Sequence, residues 1–381
     1  MSHLTIMIVA GEASGDLHGA HLVKALRDLE PKLSACGMGG EAMAGEGVEI
    51  LYDAARMAVV GIVEVVSHIG DILAAQRILA TRLREGGIDL LILIDYPDFN
   101  LMLAKKAKRL GIPILYYISP QVWAWRSGRV KTIRCLVDRM AVILPFEEEF
   151  YRRRGVKVDF VGHPLRDSVR ATALPEEFRA RHRIPAEATV VGLLPGSRKK
   201  EIASLLPDFL AAARLLAAQH PHLLFLLPLA PGLAMEDLNA HGLADCGLNI
   251  RVIGSDRYDL MASCDAVLAA SGTVTLELAI LDVPMVVAYR IAPLTYRLGR
   301  RLIKVEFMSL VNLVAGCQVV PELLQDQVTP ANLALRLLPL ISDPEAVSTM
   351  REGLARVRER LGGEGASRRA AQIALDLIGQ R

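Results

Sequence analysis

Twice along its 381 residues the chain alternates short apolar runs with amphipathic windows, and this doubled β/α alternation limits the fold more than any other feature. The first series of runs lies at 4–10, 33–37, 48–51, 89–94, 112–118, 139–144 and 157–161. The second lies at 189–194, 222–227, 249–253, 265–270 and 284–288. Runs so short and so uniformly apolar, closed by Gly, Pro or Asp, predict parallel strands buried on both faces. The windows between them, such as 17–29, repeat apolar residues at helical spacing. Gly162-His-Pro-Leu165 and the polar stretch to Pro185 break the series, and after Pro330 the pattern is purely helical. The expected architecture is α/β: two Rossmann-like, doubly wound parallel-sheet domains facing a central cleft, with a helical C-terminus. The domains are placed at 1–164 and 165–345, and the helices of 346–381 are expected to pack back on the first.

In such sheets ligands bind outside the carboxyl ends of the strands, so the strand-to-helix turns carry the chemistry. The most telling is Ser271-Gly-Thr273, between the run at 265–270 and a helical repeat from Val274 to Leu281. Unpaired N–H groups at a helix start favour an anion, most often a phosphate. Gly272 admits it to the backbone, Ser271 and Thr273 add hydroxyls, and Glu277 lies one turn further in, where it can accept from two ribose hydroxyls. A capped helix start without a ligand is the plainer alternative. Gly196-Ser197-Arg198 occupies a similar turn, so Arg198 either pairs with a diphosphate or is an exposed surface charge. Neither a P-loop nor a GxGxxG turn is present, which disfavours ATP and dinucleotides.

In the first half, Asp95-Tyr-Pro-Asp98 ends the run at 89–94, and Asp98 reads either as a general base or as the N-cap of the next helix. Glu12 and Asp16 flank Ser14-Gly15 at the first turn, as ligand groups or as caps. His18 and His21 have no evident third partner, so no metal is expected, and Asp95 and Asp98 do not form the Asp-x-Asp pair of a metal-bridged diphosphate site. Both tryptophans, Trp123 and Trp125, share one loop with Gln121, either as a binding wall or folded onto the core.

Net charge is only +2, which removes a general nucleic-acid signature, although Arg290 to Lys304 holds five cations and no acid. Five scattered cysteines without a CxxC pair imply reduced thiols in a cytoplasmic compartment. The N-terminal run reads as a first strand, not a signal peptide, and no run reaches the length of a membrane span. The window 57–83 is over-apolar: Val59, Val60, Ile62, Val63, Val65, Val66, Ile69, Ile72 and Leu73 exceed one core-facing stripe. A membrane patch centred on Val66, Ile69, Ile72 and Leu73 is expected, with a helix buried in a homodimer interface as the alternative.

Gly11-Glu-Ala-Ser-Gly-Asp16, Pro97-Asp-Phe-Asn100, Ser119-Pro-Gln-Val-Trp-Ala-Trp125, Gly162-His-Pro164, Leu194-Pro-Gly-Ser-Arg198, Ser271-Gly-Thr273 with Glu277, and Ser309-Leu-Val-Asn-Leu-Val-Ala-Gly316 occur in this order. The combination closely resembles the lipid-A-disaccharide synthases, from about residue 4 to the C-terminus. Val311 departs from the family, which usually has proline before the Asn. The resemblance implies an inverting GT-B glycosyltransferase, without metal or other cofactor, at the cytoplasmic face of the inner membrane. It would transfer the glucosamine unit of UDP-2,3-diacylglucosamine to the 6-hydroxyl of 2,3-diacylglucosamine 1-phosphate. Asp98 would be the base; Glu12, Ser14, Gly15, Asp16, Asn100, Gln121 and Trp123 would line the acceptor crevice. Ser197, Arg198, Ser271, Gly272, Thr273, Glu277, Arg290 and Asn312 would hold UDP. The partners implied are those two lipids and an anionic lipid surface. Another GT-B sugar-nucleotide enzyme, such as a UDP-N-acetylglucosamine 2-epimerase or the peptidoglycan N-acetylglucosaminyl transferase, and a non-catalytic nucleotide- or lipid-binding protein are the competing readings.

Overall fold

The computed structural model describes residues 3–57, 69–125, 127–291 and 306–380. Val59 to Val66 and most of the cationic window 290–304 therefore lie outside the described residues.

The chain divides into two compact units, Met1–Arg166 with Leu361–Arg381, and Asp167–Arg360. The first is built on a seven-stranded sheet: β1 (Thr5–Ala10), β2 (Ser34–Gly39), β3 (Glu49–Asp53), β4 (Leu90–Ile94), β5 (Ile114–Tyr117), β6 (Arg139–Val142) and β7 (Val158–Phe160), in the order β3-β2-β1-β4-β5-β6-β7. The second has six strands: β8 (Thr189–Leu194), β9 (Leu223–Pro228), β10 (Ile250–Ile253), β11 (Ala266–Ala270), β12 (Met285–Tyr289) and β13 (Glu322–Leu324), in the order β10-β9-β8-β11-β12-β13. Every pairing is parallel. The central strands are buried along their whole length, as in Leu90–Ile94 and Ala266–Ala270, which accounts for their unbroken apolar character.

Each sheet winds outward in both directions from one pair of strands, β1 and β4 in the first unit and β8 and β11 in the second. Ala10 lies beside Ile94, and Leu194 beside Ala269, so each pair ends together and opens a crevice at its carboxyl ends. The turns that follow these four strands are Gly11–Asp16, Asp95–Asn100, Gly196–Arg198 and Ser271–Glu277. Strand β13 has no counterpart among the runs predicted from sequence. It is three residues long, at the sheet edge, and follows Pro321, so neither length nor alternation marks it.

The helix Pro344–Arg360 stays with the second unit, whereas Ala366–Gly379 joins the first and packs on the helix Ala13–Leu29. Ala370, Ala371 and Ala374 are buried there. The return is pinned by one backbone and one side-chain bond: His163 N–H donates to the Leu361 carbonyl (2.9 Å), and Arg369 Nε to the Val161 carbonyl (2.8 Å).

Candidate functional site

At the β1/β4 crevice the backbone is strained and held. Asp95 (φ 43°) and Tyr96 (φ 44°) are consecutive left-handed residues, a costly conformation for non-glycine residues. Two donors fix it: Asn100 Nδ2 (2.7 Å) and the Tyr116 hydroxyl both bind the Asp95 carbonyl. Asn100 also donates to the Ile94 carbonyl and is fully buried, so it holds the bend. Tyr96 folds over Gly11, where a Cβ would stand 2.5 Å from its ring; only glycine fits beneath it. The Asp95 carboxyl is pushed up to about 6, by burial first and by the charge of Glu12 second.

Tyr96, not Asp98, is the N-cap of the helix Pro97–Arg109. Asp98 lies in the first helical turn, its side chain 75% exposed, with its carboxylate paired to Arg129. Glu12 and Ser14 are exposed at the start of the helix Ala13–Leu29, while Gly15 is buried against Ala10 and Ile94. Asp16 points inward. Its carboxylate accepts from the backbone N–H groups of Gly40 (2.7 Å), Ala42 (3.0 Å) and Met43 (3.2 Å), capping the helix Glu41–Gly45.

The loop after β5 is anchored from below. Trp123 Nε1 donates to Glu147 (3.0 Å), and its ring meets Phe146 edge-on at 4.9 Å. Glu147 is buried and takes a second bond from Leu144 N–H. Burial raises its carboxyl to about 7 against the pull of those donors. Ser119 is buried on the Tyr151 hydroxyl, Gln121 is exposed, and the side chain of Trp125 is outside the described residues.

In the second unit Glu277 lies in the helix Val274–Ile280, directly behind β11. It is 6% exposed; one carboxylate oxygen is paired with Arg257, and the other has no partner among the described residues. Burial raises its pKa and Arg257 opposes that rise. Ser271 donates to the Met308 carbonyl (3.2 Å), Gly272 is partly open, and Thr273 is exposed. At the β8 turn the N–H groups of Ser197 (2.9 Å) and Arg198 (3.2 Å) are taken by Glu201, while the Arg198 side chain is 69% exposed.

Arg290 and Asn312 are engaged within the fold. Arg290 donates to the Ser204 carbonyl (2.8 Å), Asp208 (2.6 Å) and the Val328 carbonyl, tying the end of β12 to its neighbours. Asn312 is fully buried and bonds Val319, Val320 and Glu322. Glu322, on β13, also accepts from Met308 N–H (2.8 Å), Ser309 N–H (3.0 Å) and the Ser309 hydroxyl (2.6 Å). Sequence reasoning missed Arg129, Glu147, Arg257 and Glu322. Their partners lie ten to thirty-one positions away, beyond any local motif.

In the membrane-patch window, Ile72 packs against the first unit's core and Leu73 is 59% exposed. Val66 and the side chain of Ile69 lie outside the described residues. Among the described residues no helix is long and apolar enough to cross a membrane, and no three His, Cys, Asp or Glu side chains gather as a metal site.

Solved structures share this architecture. The glycotransferase of kitacinnamycin superposes with a TM-score of 0.66 at 17% identity, covering 98% of each chain. The calicheamicin glycosyltransferase CalG4 gives 0.64 at 14%, covering 100% of this chain and 99% of its own. UDP-GlcNAc 2-epimerase from Neisseria meningitidis gives 0.63 at 12%, covering 99% of each. At such identities the likeness establishes the GT-B fold alone. Sequence goes further. The lipid-A-disaccharide synthase of Geobacter metallireducens is 51% identical over 376 residues, 99% of this chain and 98% of that protein. That of Coxiella burnetii is 41% identical over 378 residues, 99% of this chain and 100% of its own. With the lipid-A-disaccharide synthetase family profile matching residues 6–377, the chain belongs to that family and is a glycosyltransferase.

Proposed function

We propose that the protein forms the β-1,6-linked lipid A disaccharide 1-phosphate by one inverting displacement. The donor is UDP-2,3-diacylglucosamine and the acceptor 2,3-diacylglucosamine 1-phosphate. The acceptor 6-hydroxyl oxygen bonds to the donor anomeric carbon as the bond to the UDP phosphate oxygen breaks. The hydroxyl proton passes to Asp98, which Arg129 orients. Departing UDP is held by the second unit. Glu277 accepts from the ribose, while the Ser271–Thr273 turn, Ser197 and Arg198 meet the phosphates. Glu12, Ser14, Gln121 and Trp123 face the acceptor; Gly15, Asp16, Asn100, Arg290 and Asn312 serve by fixing the surrounding elements.

The observation that carries this reading is Glu277, because a buried carboxylate with a vacant oxygen behind the central strand is costly unless a donor arrives. Glu277→Ala is expected to weaken UDP binding by about 1–3 kcal/mol in calorimetric titration; unchanged affinity would remove the ribose role. Thin-layer chromatography of the two lipids incubated with the protein should show the disaccharide phosphate. Turnover is expected to survive EDTA, since the sequence has no Asp-x-Asp pair; loss restored by magnesium would contradict the metal-free scheme.

We further propose peripheral attachment to the cytoplasmic face of the inner membrane. Exposed Leu73 on the helix Ile69–Arg84, flanked by Arg77, supports this reading. A homodimer through the same window is the alternative, and sedimentation of the detergent-free protein separates the two.

A further inference from the structure

Among the described residues Glu277 is the one buried carboxylate with an unpartnered oxygen, and its other oxygen is held by a residue of a different helix. That residue, Arg257, begins the helix Arg257–Ala262, is half-exposed, and lies over the Tyr258 ring at 4.8 Å. Among the described residues the other groups around Glu277 supply no counter-charge. Tyr258 is a phenol whose own ionisation is disfavoured, by burial first and then by the charge of Glu277. On the helix packed behind, Arg358 is committed to Asp282 and the Ala279 carbonyl, and Arg351 to Asp282. Asp256 is paired with Arg181.

We infer that Arg257 is a positioning residue of the nucleotide site, which holds one oxygen of Glu277 and keeps the carboxylate anionic so that its second oxygen faces a vicinal diol. The inference rests on the reading that Glu277 receives the ribose. A protonated carboxyl would present a donor in place of an acceptor and lose the charge-assisted bonds. Burial already pushes Glu277 in that direction, and Arg257 is the cation that pulls it back. Without Arg257 the carboxyl titrates closer to neutrality, so diol binding weakens as pH falls.

The test is the dissociation constant for UDP between about pH 6 and pH 8.5 in Arg257→Met, Arg257→Lys, Glu277→Gln and the Arg257→Met/Glu277→Gln double variant. Each affinity is taken as a ratio to the unsubstituted protein, so that the titration of UDP's own phosphate cancels. Arg257→Met should lose affinity increasingly on acidification, approaching about tenfold per pH unit below the new titration point. Arg257→Lys should recover most of the loss, and the double variant should show no pH dependence beyond that of Glu277→Gln. Arg257→Gln serves as a second neutral variant should the methionine protein melt early. A loss in Arg257→Met that is equal at every pH, or a pH dependence that survives in the double variant, overturns the positioning role and leaves Glu277 as a ribose ligand. Unchanged affinity in Glu277→Ala overturns the ribose reading and this inference together.

Discussion

Asp95 and Asp98 stand three positions apart on one turn, and the fold treats them differently. Asp95 rides on a strained backbone and is half-buried, whereas Asp98 reaches solvent and meets Arg129. Because Tyr96 occupies the cap position, Asp98→Asn has no cap to lose. If Asp98 is the base, this variant should lower kcat by roughly 10²–10⁴ with the acceptor KM little changed and an unaltered melt. Near-normal kcat would assign Asp98 to pairing with Arg129 alone. That Asp95-Tyr-Pro-Asp98 stands between a strand's end and a helix start was legible in the sequence. Which carboxylate stays accessible was not, because Arg129 arrives from thirty-one residues away. The same limit applies to Asn312: the sequence marks it as special, and only the fold reveals that Glu322, the Val320 carbonyl and two backbone N–H groups use up its amide.

The helix Ile69–Arg84 shows what periodicity can and cannot decide. It holds Ile69, Ile72 and Leu73 of the over-apolar window 57–83, and the sequence does not say which of its apolar residues face the core. Ile72 does, together with buried Ala75 and Leu79, whereas Leu73 and Ile78 are exposed at 59% and 41%. Substituting Leu73 and Ile78 by serine should change stability by no more than about 0.5 kcal/mol each and reduce co-sedimentation with anionic vesicles. Ile72→Ser should instead cost about 2 kcal/mol or more in a denaturant melt. Vesicle binding unaffected by the first pair would remove the membrane role from this face. Long strands such as β4 were legible because burial on both faces leaves an unbroken apolar run. Three-residue β13 was not, since its place depends on pairing with β12.

At the scale of the molecule, buried acids and buried histidines in the first unit give its stability opposite pH slopes. Glu147 titrates at about 7 in the fold against an ordinary 4.5, so the folded state holds its proton and gains stability as pH falls through 7 toward 4.5. His163, buried and close to His18, is lowered to about 3 from 6.5, by burial first and His18 second. Its contribution is present above 6.5 and is lost as pH falls toward 3, because only the unfolded chain takes up the proton. Relative to the unsubstituted protein, Glu147→Gln should therefore lose stability on acidification between those limits, by about 1 kcal/mol per pH unit. His163→Asn should gain by a similar amount below pH 6.5. Melts across this range showing parallel curves for all three proteins would contradict the assignment.

The second unit is one continuous stretch, whereas the first needs the helix Ala366–Gly379 from the far end of the chain. On the ribosome, the unit whose synthesis begins first is thus the one completed last. The helix Ala13–Leu29 must wait with part of its packing surface uncovered until residue 379 has emerged, by which time all of Asp167–Arg360 has been made. A nascent chain truncated after Arg360 and arrested behind a spacer that carries residue 360 out of the exit tunnel should protect its second unit from protease and leave its first unit open to cleavage, which pulse proteolysis of stalled ribosomes would read directly. In the cell, the interval between those two events is when the first unit most needs a chaperone.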